Sequence, residues 1–390
     1  MKQQQRLPSD ALRAGNDEEE EMDSDEDVGS SQLRETDIDW KGRREDTESP
    51  PSLVLEIEKG QVSTQRLDQY LAEKITFMSR SAIQRLIKEG CVVVADGKKA
   101  AKPAAKLRGG DVICVYFPPP PGCKDIEPND IPIHILHEDD SIVLVNKQPG
   151  LTVHPWQGVS SGTLVNALAF HFQRSKEGDS LSSVGATNSR PGIVHRLDRF
   201  TSGVMVVAKS DLAHWRLAEN FAQRKVDKRY LAVVHGRVNK DEQLIDAPIG
   251  RDVKVRERMC VREGKAGKQA KTICRVRERY KDFTLVELQL LTGRTHQIRV
   301  HLSHIGHSIA GDTTYGGKVI HDTDVERGRG EGKPILVRQA LHATCLSFEH
   351  PITREMAKFT APLFEDMKRL IRGLRNDDVV QRTTLSSCIV

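Results

Sequence analysis

Pro191-Gly192-Ile193-Val194-His195-Arg196-Leu197-Asp198-Arg199-Phe200-Thr201-Ser202-Gly203-Val204-Met205-Val206-Val207-Ala208-Lys209 decides how the chain is read. Its middle is polar and charged. Its end, Val204 to Ala208, is an apolar, β-branched run with the length of a buried strand. A charged loop, then Thr-Ser-Gly, then a buried strand sets one carboxylate, Asp198, at the mouth of a sheet, where a rigid scaffold presents reactive groups. The tripeptide Arg-Leu-Asp is uninformative alone, since it recurs at Arg66-Leu67-Asp68 ahead of an ordinary helix pattern. An isolated Asp usually shapes a turn, so weight falls on the longer string and on what surrounds it.

Outward from this string the pattern repeats: apolar strands bordered by polar clusters. Upstream, Ser141 to Asn146 reads as a strand, followed by Lys147-Gln148-Pro149-Gly150 and Leu151-Thr152-Val153-His154-Pro155; Gly162 to Phe172 reads as a helix, and 175–189 as a loop. Downstream, Ser210 and Asp211 cap a helix whose buried face is expected at Trp215, Ala218, Phe221 and Ala222. Lys228-Arg229-Tyr230-Leu231-Ala232-Val233-Val234-His235-Gly236 is a strand carrying a tyrosine, and Phe283 to Leu291 another strand, leading into Thr292-Gly293-Arg294-Thr295-His296-Gln297-Ile298-Arg299-Val300-His301-Leu302. His301, His304 and His307 look like a metal ladder, but their spacing drifts around a helix and no Cys or carboxylate accompanies them, so no metal site is assigned. Ala310-Gly311-Asp312 with Tyr315-Gly316-Gly317 lacks the Gly-Lys-Ser/Thr ending of a phosphate loop. Residues 320–334 read as a polar insertion and Glu365 to Leu374 as a terminal amphipathic helix.

Residues 63–117 form a separate basic module. A helix over Gln65–Lys74 and a second after Ser79, with Ile83, Leu86 and Ile87 on one face and Gly90 at its end, precede strands at Cys91–Ala95 and Asp111–Phe117. Arg80, Arg85 and Lys88 lie off the apolar stripe, and Lys98 and Lys99 sit at the Asp96-Gly97 turn. One-sided, clustered positive charge points to phosphate contacts. The Pro118–Pro121 run reads as a stiff spacer.

The full-length strings resemble the three ordered motifs of the RluA-type pseudouridine synthases, which isomerise uridine in structured RNA. The basic module is similar to the RNA-binding domain first named from a small-subunit ribosomal protein. The segment from Lys147 to His154 departs from the family's simplest form by the insertion of Gln148. The resemblance covers roughly residues 63–372 and implies an α+β protein: a small helix-pair and hairpin RNA-binding domain, then a larger domain with a mixed, mainly antiparallel sheet flanked by helices. It implies Asp198 as the catalytic carboxylate, Arg299 as its partner, Tyr230 in the active site, and Arg196 filling the gap left by a flipped nucleotide. Arg294 and His296, beside Arg299, are assigned to RNA contact. His195 is expected to hold the loop rather than take protons. The reaction breaks the ribose–nitrogen bond, turns the base and rejoins it through carbon 5, so it is redox-neutral, needs no cofactor, and requires exclusion of water and extrusion of the base from its stack. Whether Asp198 adds to the ribose or initiates elimination is open. The rivals are a catalytically silent RNA-binding or ribosome-assembly factor and an RNA hydrolase.

Composition agrees with an RNA partner. Residues 1–50 hold 7 basic and 16 acidic residues, and the remainder 52 basic and 39 acidic, so a basic body carries an acidic tail. The expected division is a disordered acidic tail over 1–55, the RNA-binding domain over 63–117, a proline-rich linker over 118–130, the catalytic domain over 131–375 and a frayed end over 376–390. Seven scattered cysteines, with no Cys-x-x-Cys pair, indicate neither zinc nor a disulfide framework. Mean hydropathy is −0.48, and no apolar run reaches the roughly 20 residues of a membrane span. No signal-peptide core is seen, and the acidic start argues against a transit peptide. Expected partners are ribosomal RNA first and transfer RNA second, with no membrane. The protein is expected to be a monomer in the cytoplasm, with plastid or mitochondrion as alternatives.

Overall fold

A computed structural model describes residues 53–57, 65–75, 78, 80–94, 101–116, 126–155, 159, 161–175, 180–184, 190–255, 258–325, 330–377 and 381–382. Lys98, Lys99, most of the acidic tail and the proline run lie outside them.

The small domain has strand β1 (Leu53–Glu56), helices α1 (Leu67–Lys74) and α2 (Arg80–Lys88), and strands β2 (Val92–Val94) and β3 (Val112–Val115). The expected hairpin of β2 and β3 forms, with Val92 opposite Val115. The tail assignment needs correction at its end, because β1 pairs antiparallel with the other edge of β3. Leu53 and Ile57 join Leu67, Leu71, Ile83, Leu86, Ile113 and Val115 in one core. That apolar alternation gives these residues a sheet to complete, which the acidic run before them does not have.

In the large domain, β4 (Ile135–Glu138), β5 (Ile142–Lys147), α3 (Leu164–Arg174), β6 (Ser202–Ala208), α4 (Asp211–Ala222), β7 (Asp227–His235), β8 (Glu242–Asp246), β9 (Ile249–Arg251), β10 (Met259–Val261), β11 (Lys271–Arg279), β12 (Phe283–Leu290) and α5 (Gln297–His304) follow in order. Then come β13 (Ile320–His321), α6 (Asp322–Val325), β14 (Pro334–Leu336), β15 (Leu341–Glu349), β16 (Met356–Thr360), α7 (Glu365–Asp377) and β17 (Gln381–Arg382). Ten strands make one sheet, ordered β17-β11-β12-β7-β15-β6-β5-β4, with β16 beside β15 and β8 beside β11. It is mixed and mainly antiparallel as expected: among the described residues only β6 and β15 pair in parallel. All seven residues of β6 are buried, as the apolar run demands. No helix among the described residues is long and apolar enough to cross a membrane.

Four details differ from the sequence reading. Residues 320–334 hold β13, α6 and β14 rather than a plain insertion, with the Asp322 carboxylate accepting from the backbone N–H groups of Glu331, Gly332 and Lys333. Glu127 and Asn129 of the expected linker dock on α3, where the Asn166 side chain donates to the Glu127 carbonyl at 2.8 Å and Asn129 Oδ1 accepts from Gly162 N–H. Gln381 and Arg382, in the expected frayed end, pair with β11. Ala218 and Phe221 of the expected face of α4 pack on the large core, but the buried positions are Ala213, His214, Leu217 and Asn220, and Trp215 packs with Leu212 against the small domain's core. A second apolar surface to cover explains the departure at Trp215.

Candidate active site

The sheet register builds the site. Ala343 of β15 pairs with Gly203 of β6 on one side and with Tyr230 of β7 on the other. Asp198 lies just before the start of β6, so the loop and Tyr230 are brought to the same level of the sheet on either side of β15. Gly203 makes the close approach workable. Its φ is +121°, and a Cβ there would lie 2.2 Å from the Ala343 carbonyl oxygen.

The Asp198 loop is tied down on several sides. Thr201 N–H bonds back to the Asp198 carbonyl at 3.0 Å. The buried Lys147 ammonium donates to the carbonyls of Gln148, Leu151 and Arg199 at 3.2, 2.9 and 3.0 Å, which uses all three of its N–H bonds. Burial pushes Lys147 down to about 7, with the Asp198 charge opposing that fall and Arg338 adding to it. Gly150 N–H donates to the Arg199 carbonyl at 2.9 Å, and Arg199 Nε returns a bond to the Gly150 carbonyl at 3.2 Å. From α7, Asp366 orients Arg338, whose Nη1 reaches the Phe200 carbonyl at 3.2 Å. His195 stacks on Phe221 with centroids 4.6 Å apart, and its Nε2 accepts from Val206 N–H at 3.1 Å. Burial, then the Lys228 charge, push it down to about 3. A neutral ring whose lone pair is already engaged braces the loop.

Asp198 itself keeps 24% of its side chain exposed, enough to be reached from outside. Arg299 Nη1 lies 3.3 Å from Asp198 Oδ2, and His296 Nε2 lies 3.9 Å from the same oxygen. Burial favours the protonated carboxyl. The charges of His296, Arg299 and Arg196, with the Arg299 hydrogen bond, outweigh it and hold Asp198 below its ordinary value. Tyr230 is 7% exposed; burial first, and the Asp198 charge second, push its phenol up, so it stays protonated. Three residues from three separate stretches thus meet at one place.

Arg299 meets Asp198 with one nitrogen, and its two-pronged grip is on another acid. Its Nε and Nη2 bind Asp312 Oδ2 and Oδ1 at 2.7 and 3.0 Å, leaving one nitrogen for Asp198. Asp312 is 2% exposed and sits in the Gly-rich turn, to which the sequence reading gave no role. Tyr315, also unassigned there, places its ring 4.8 Å from the Arg299 guanidinium carbon. Lys147 and Gln297 were missed as well. Gln297 Oε1 accepts from Thr292 Oγ1 and Arg294 N–H, while its Nε2 donates to the Lys271 carbonyl and Thr272 Oγ1. The available signal was polar residues within apolar strings, which marks burial with satisfied partners.

The remaining predicted residues divide. Arg196 is exposed beside Asp198. Arg294 is part-exposed and bonds the Gln269 carbonyl at 3.2 Å. His296 faces Asp198, inside the site rather than on the outer surface. Arg80, Arg85 and Lys88 lie on α2, far in sequence from the site; Arg80 Nη2 binds the fully buried Asp68 at 3.0 Å. The His ladder does not converge on an ion position: His301 Nδ1 meets Thr272 Oγ1 and its Nε2 meets the Ala247 carbonyl, both at 2.9 Å, while His307 Nδ1 meets the His235 carbonyl.

A basic helix-pair module precedes a mixed sheet on which an ionised Asp, an Arg and a Tyr converge. The profile of the RNA pseudouridylate synthase family matches residues 141–304, and that of the S4 domain residues 65–113. An uncharacterized RNA pseudouridine synthase, YlyB of Bacillus subtilis (strain 168), is 43% identical over 315 residues, covering 80% of this chain and 95% of that protein. The ribosomal large subunit pseudouridine synthase D of Zymomonas mobilis is 41% identical, covering 79% and 93%. The solved human RNA pseudouridylate synthase domain containing 4 is 27% identical with a TM-score of 0.47, over 62% of this chain and 93% of that one. The chain belongs to the RNA pseudouridine synthases and carries an N-terminal S4 domain. Its reaction is the isomerisation of uridine in RNA.

Proposed function

We propose that the substrate is large-subunit ribosomal RNA and that Asp198 starts the reaction at the ribose of a flipped uridine. The observation carrying the catalytic reading is the Asp198 carboxylate: charged, partly exposed and held by Arg299 at 3.3 Å. An anion there can either add to C1′ or draw off a ribose proton. Addition forms an ester at C1′ as the base leaves with the electron pair of the C1′–N1 bond, and carbon 5 of the turned base then displaces that ester. Elimination takes the 2′ proton onto Asp198 as the same bond breaks, and the proton returns to C2′ when carbon 5 bonds C1′. In both routes carbon 5 then loses its proton to solvent and N1 gains one, so the product is an isomer of the substrate. Tyr230, kept protonated, stacks on the base as a flat apolar face. Arg196, exposed next to Asp198, enters the stack the uridine leaves. Arg294 contacts the RNA backbone near the site, and Arg80, Arg85 and Lys88 on α2 contact it at a distance. No cofactor or metal is needed for a redox-neutral exchange of one bond for another.

Support for the ribosomal substrate comes from the relatives named for the large ribosomal subunit and from the S4 domain. The protein acts as a monomer in the cytoplasm on this reading. The test maps isomerised uridines in cellular RNA with and without the gene, and repeats the assay with purified protein. Loss of sites in large-subunit RNA is expected. Loss confined to transfer RNA would overturn the substrate, release of free uracil would identify a hydrolase, and an unchanged map with no turnover in vitro would leave an RNA-binding factor.

A further inference from the structure

His296 precedes α5 with φ +53°, a left-handed conformation that costs a non-glycine residue roughly 1–3 kcal/mol. The buried Gln297 network holds the turn in that shape. It aims the imidazole between two groups: Nδ1 lies 2.8 Å from the Tyr315 hydroxyl, and Nε2 faces Asp198 Oδ2 at 3.9 Å. The Tyr315 oxygen already accepts from Met259 N–H at 3.0 Å, so its own proton is free to point at His296 Nδ1. A neutral ring then carries its hydrogen on Nε2, toward the carboxylate. A protonated ring also carries one there. Arg299 Nη1, three residues further along the same turn and helix, addresses the same oxygen, Oδ2.

We propose that His296 is a positioning residue for Asp198: with Arg299 it faces Oδ2, from 3.9 Å and so as a charge contact without a direct hydrogen bond, which leaves Oδ1 as the oxygen presented to the ribose, and Tyr315 fixes the ring in the state that does this. The proposal deepens the catalytic reading above and rests on it. It replaces RNA-backbone contact as the work of His296. Burial supports it, since the His296 side chain is only 11% exposed, which suits a group aimed inward.

Three variants test it. Asn tolerates the left-handed backbone but is too short to reach Asp198. Gln carries an amide N–H about as far out as Nε2. Tyr315→Phe removes the hydroxyl and keeps the ring. On RNA tritiated at carbon 5 of uridine, isolated from cells lacking the gene, His296→Asn is expected to lower single-turnover rate about 30–100-fold with RNA affinity within about threefold and an unchanged salt slope. His296→Gln should return to within about fivefold of wild type, and Tyr315→Phe should fall about tenfold. A second readout needs no substrate: ¹³C titration of the Asp198 carboxyl, whose charged and titratable neighbours are Arg299, His296, Arg196, Lys147, Tyr230 and Tyr315. Its midpoint should rise in His296→Asn and return in His296→Gln. This separates the pairing from the catalytic reading, because the titration still reports if Asp198 proves to be inessential for turnover. Wild-type rate with weakened RNA binding and a shallower salt slope in His296→Asn would overturn the proposal, as would an unmoved midpoint. Equal loss in the Asn and Gln variants would overturn it too.

Discussion

Arg299 grips Asp312 with two nitrogens and Asp198 with one. Asp312 lies on the glycine-rich turn after α5 and Asp198 on the loop before β6, so a single guanidinium fastens two loops that meet only in the folded chain. Burial works against its charge. The Asp312 hydrogen bonds, then the charges of Asp198 and Asp312, outweigh that and push Arg299 above its ordinary value.

Arg299→Lys therefore breaks two joints at once, since an ammonium cannot reproduce a planar fork. A fall in turnover of about 100-fold or more is expected. Asp312→Asn should also slow the reaction, by about 10-fold or more, although Asp312 does not touch Asp198, because the freed guanidinium is no longer aimed. Single-turnover kinetics with the protein in excess over RNA and above the Kd measure both; a wild-type rate in Asp312→Asn would mean the fork is not what aims Arg299.

Asp198→Asn keeps the shape of the side chain and loses the charge. RNA affinity by filter binding should stay within about threefold while isomerisation disappears. Retained turnover would remove Asp198 from the reaction.

Gly203→Ala should damage the sheet itself. The added carbon would meet the Ala343 carbonyl at 2.2 Å, in a backbone with φ +121°. Roughly 3 kcal/mol or more of stability should be lost from strain and overpacking together. Calorimetry of the full chain measures this, and an unchanged Tm would show that β6 and β15 can part without cost.

Stability should fall on acidification from pH 7 to 5. Burial pushes His154 and His342 down to about 4 and His214 to about 3. His342 is neutral by its bonds also: Nε2–H donates to the Ala361 carbonyl, and Nδ1 accepts from Ser202 Oγ. Each histidine binds a proton in the unfolded chain below about 6.5 and in the folded protein only near 3 to 4. The unfolded state holds more protons across that window, so its stability relative to the fold grows as pH falls. A contribution of roughly 1–2 kcal/mol per histidine at pH 5 follows. The paired carboxylates add little there, because Asp68 and Asp139 are held well below their ordinary range. Equal Tm at pH 7 and pH 5 would contradict the buried neutral state.

Arg85→Gln and Lys88→Gln should weaken RNA binding without changing the rate of the bound complex. Each should also reduce the salt slope of log K by about 1 if it meets a phosphate. Arg80→Gln is different. Arg66, Arg80 and Gln84 all bind the fully buried Asp68 carboxylate, so losing Arg80 should also lower the stability of the small domain, as seen by melting.

The sequence alone determined the long strands and helices around the site and which strings carry the chemistry. Val204 to Ala208 could only be a buried strand, and the one-sided charge of α2 was legible from its period. The order of three polar strings beside apolar strands was enough for the family. Tertiary structure decided which acid Arg299 holds, that His296 looks inward, and that Arg-Leu-Asp pins a helix pair at residue 68 but serves an open site at residue 198. It also decided that Leu53 closes a sheet and that Trp215 faces a second core. The physical reason is range. Strand and helix periods are set by neighbours a few residues apart, whereas a hydrogen-bond partner or a covering surface can lie a hundred residues away, as Asp198 does from Arg299, and only the packed chain selects it.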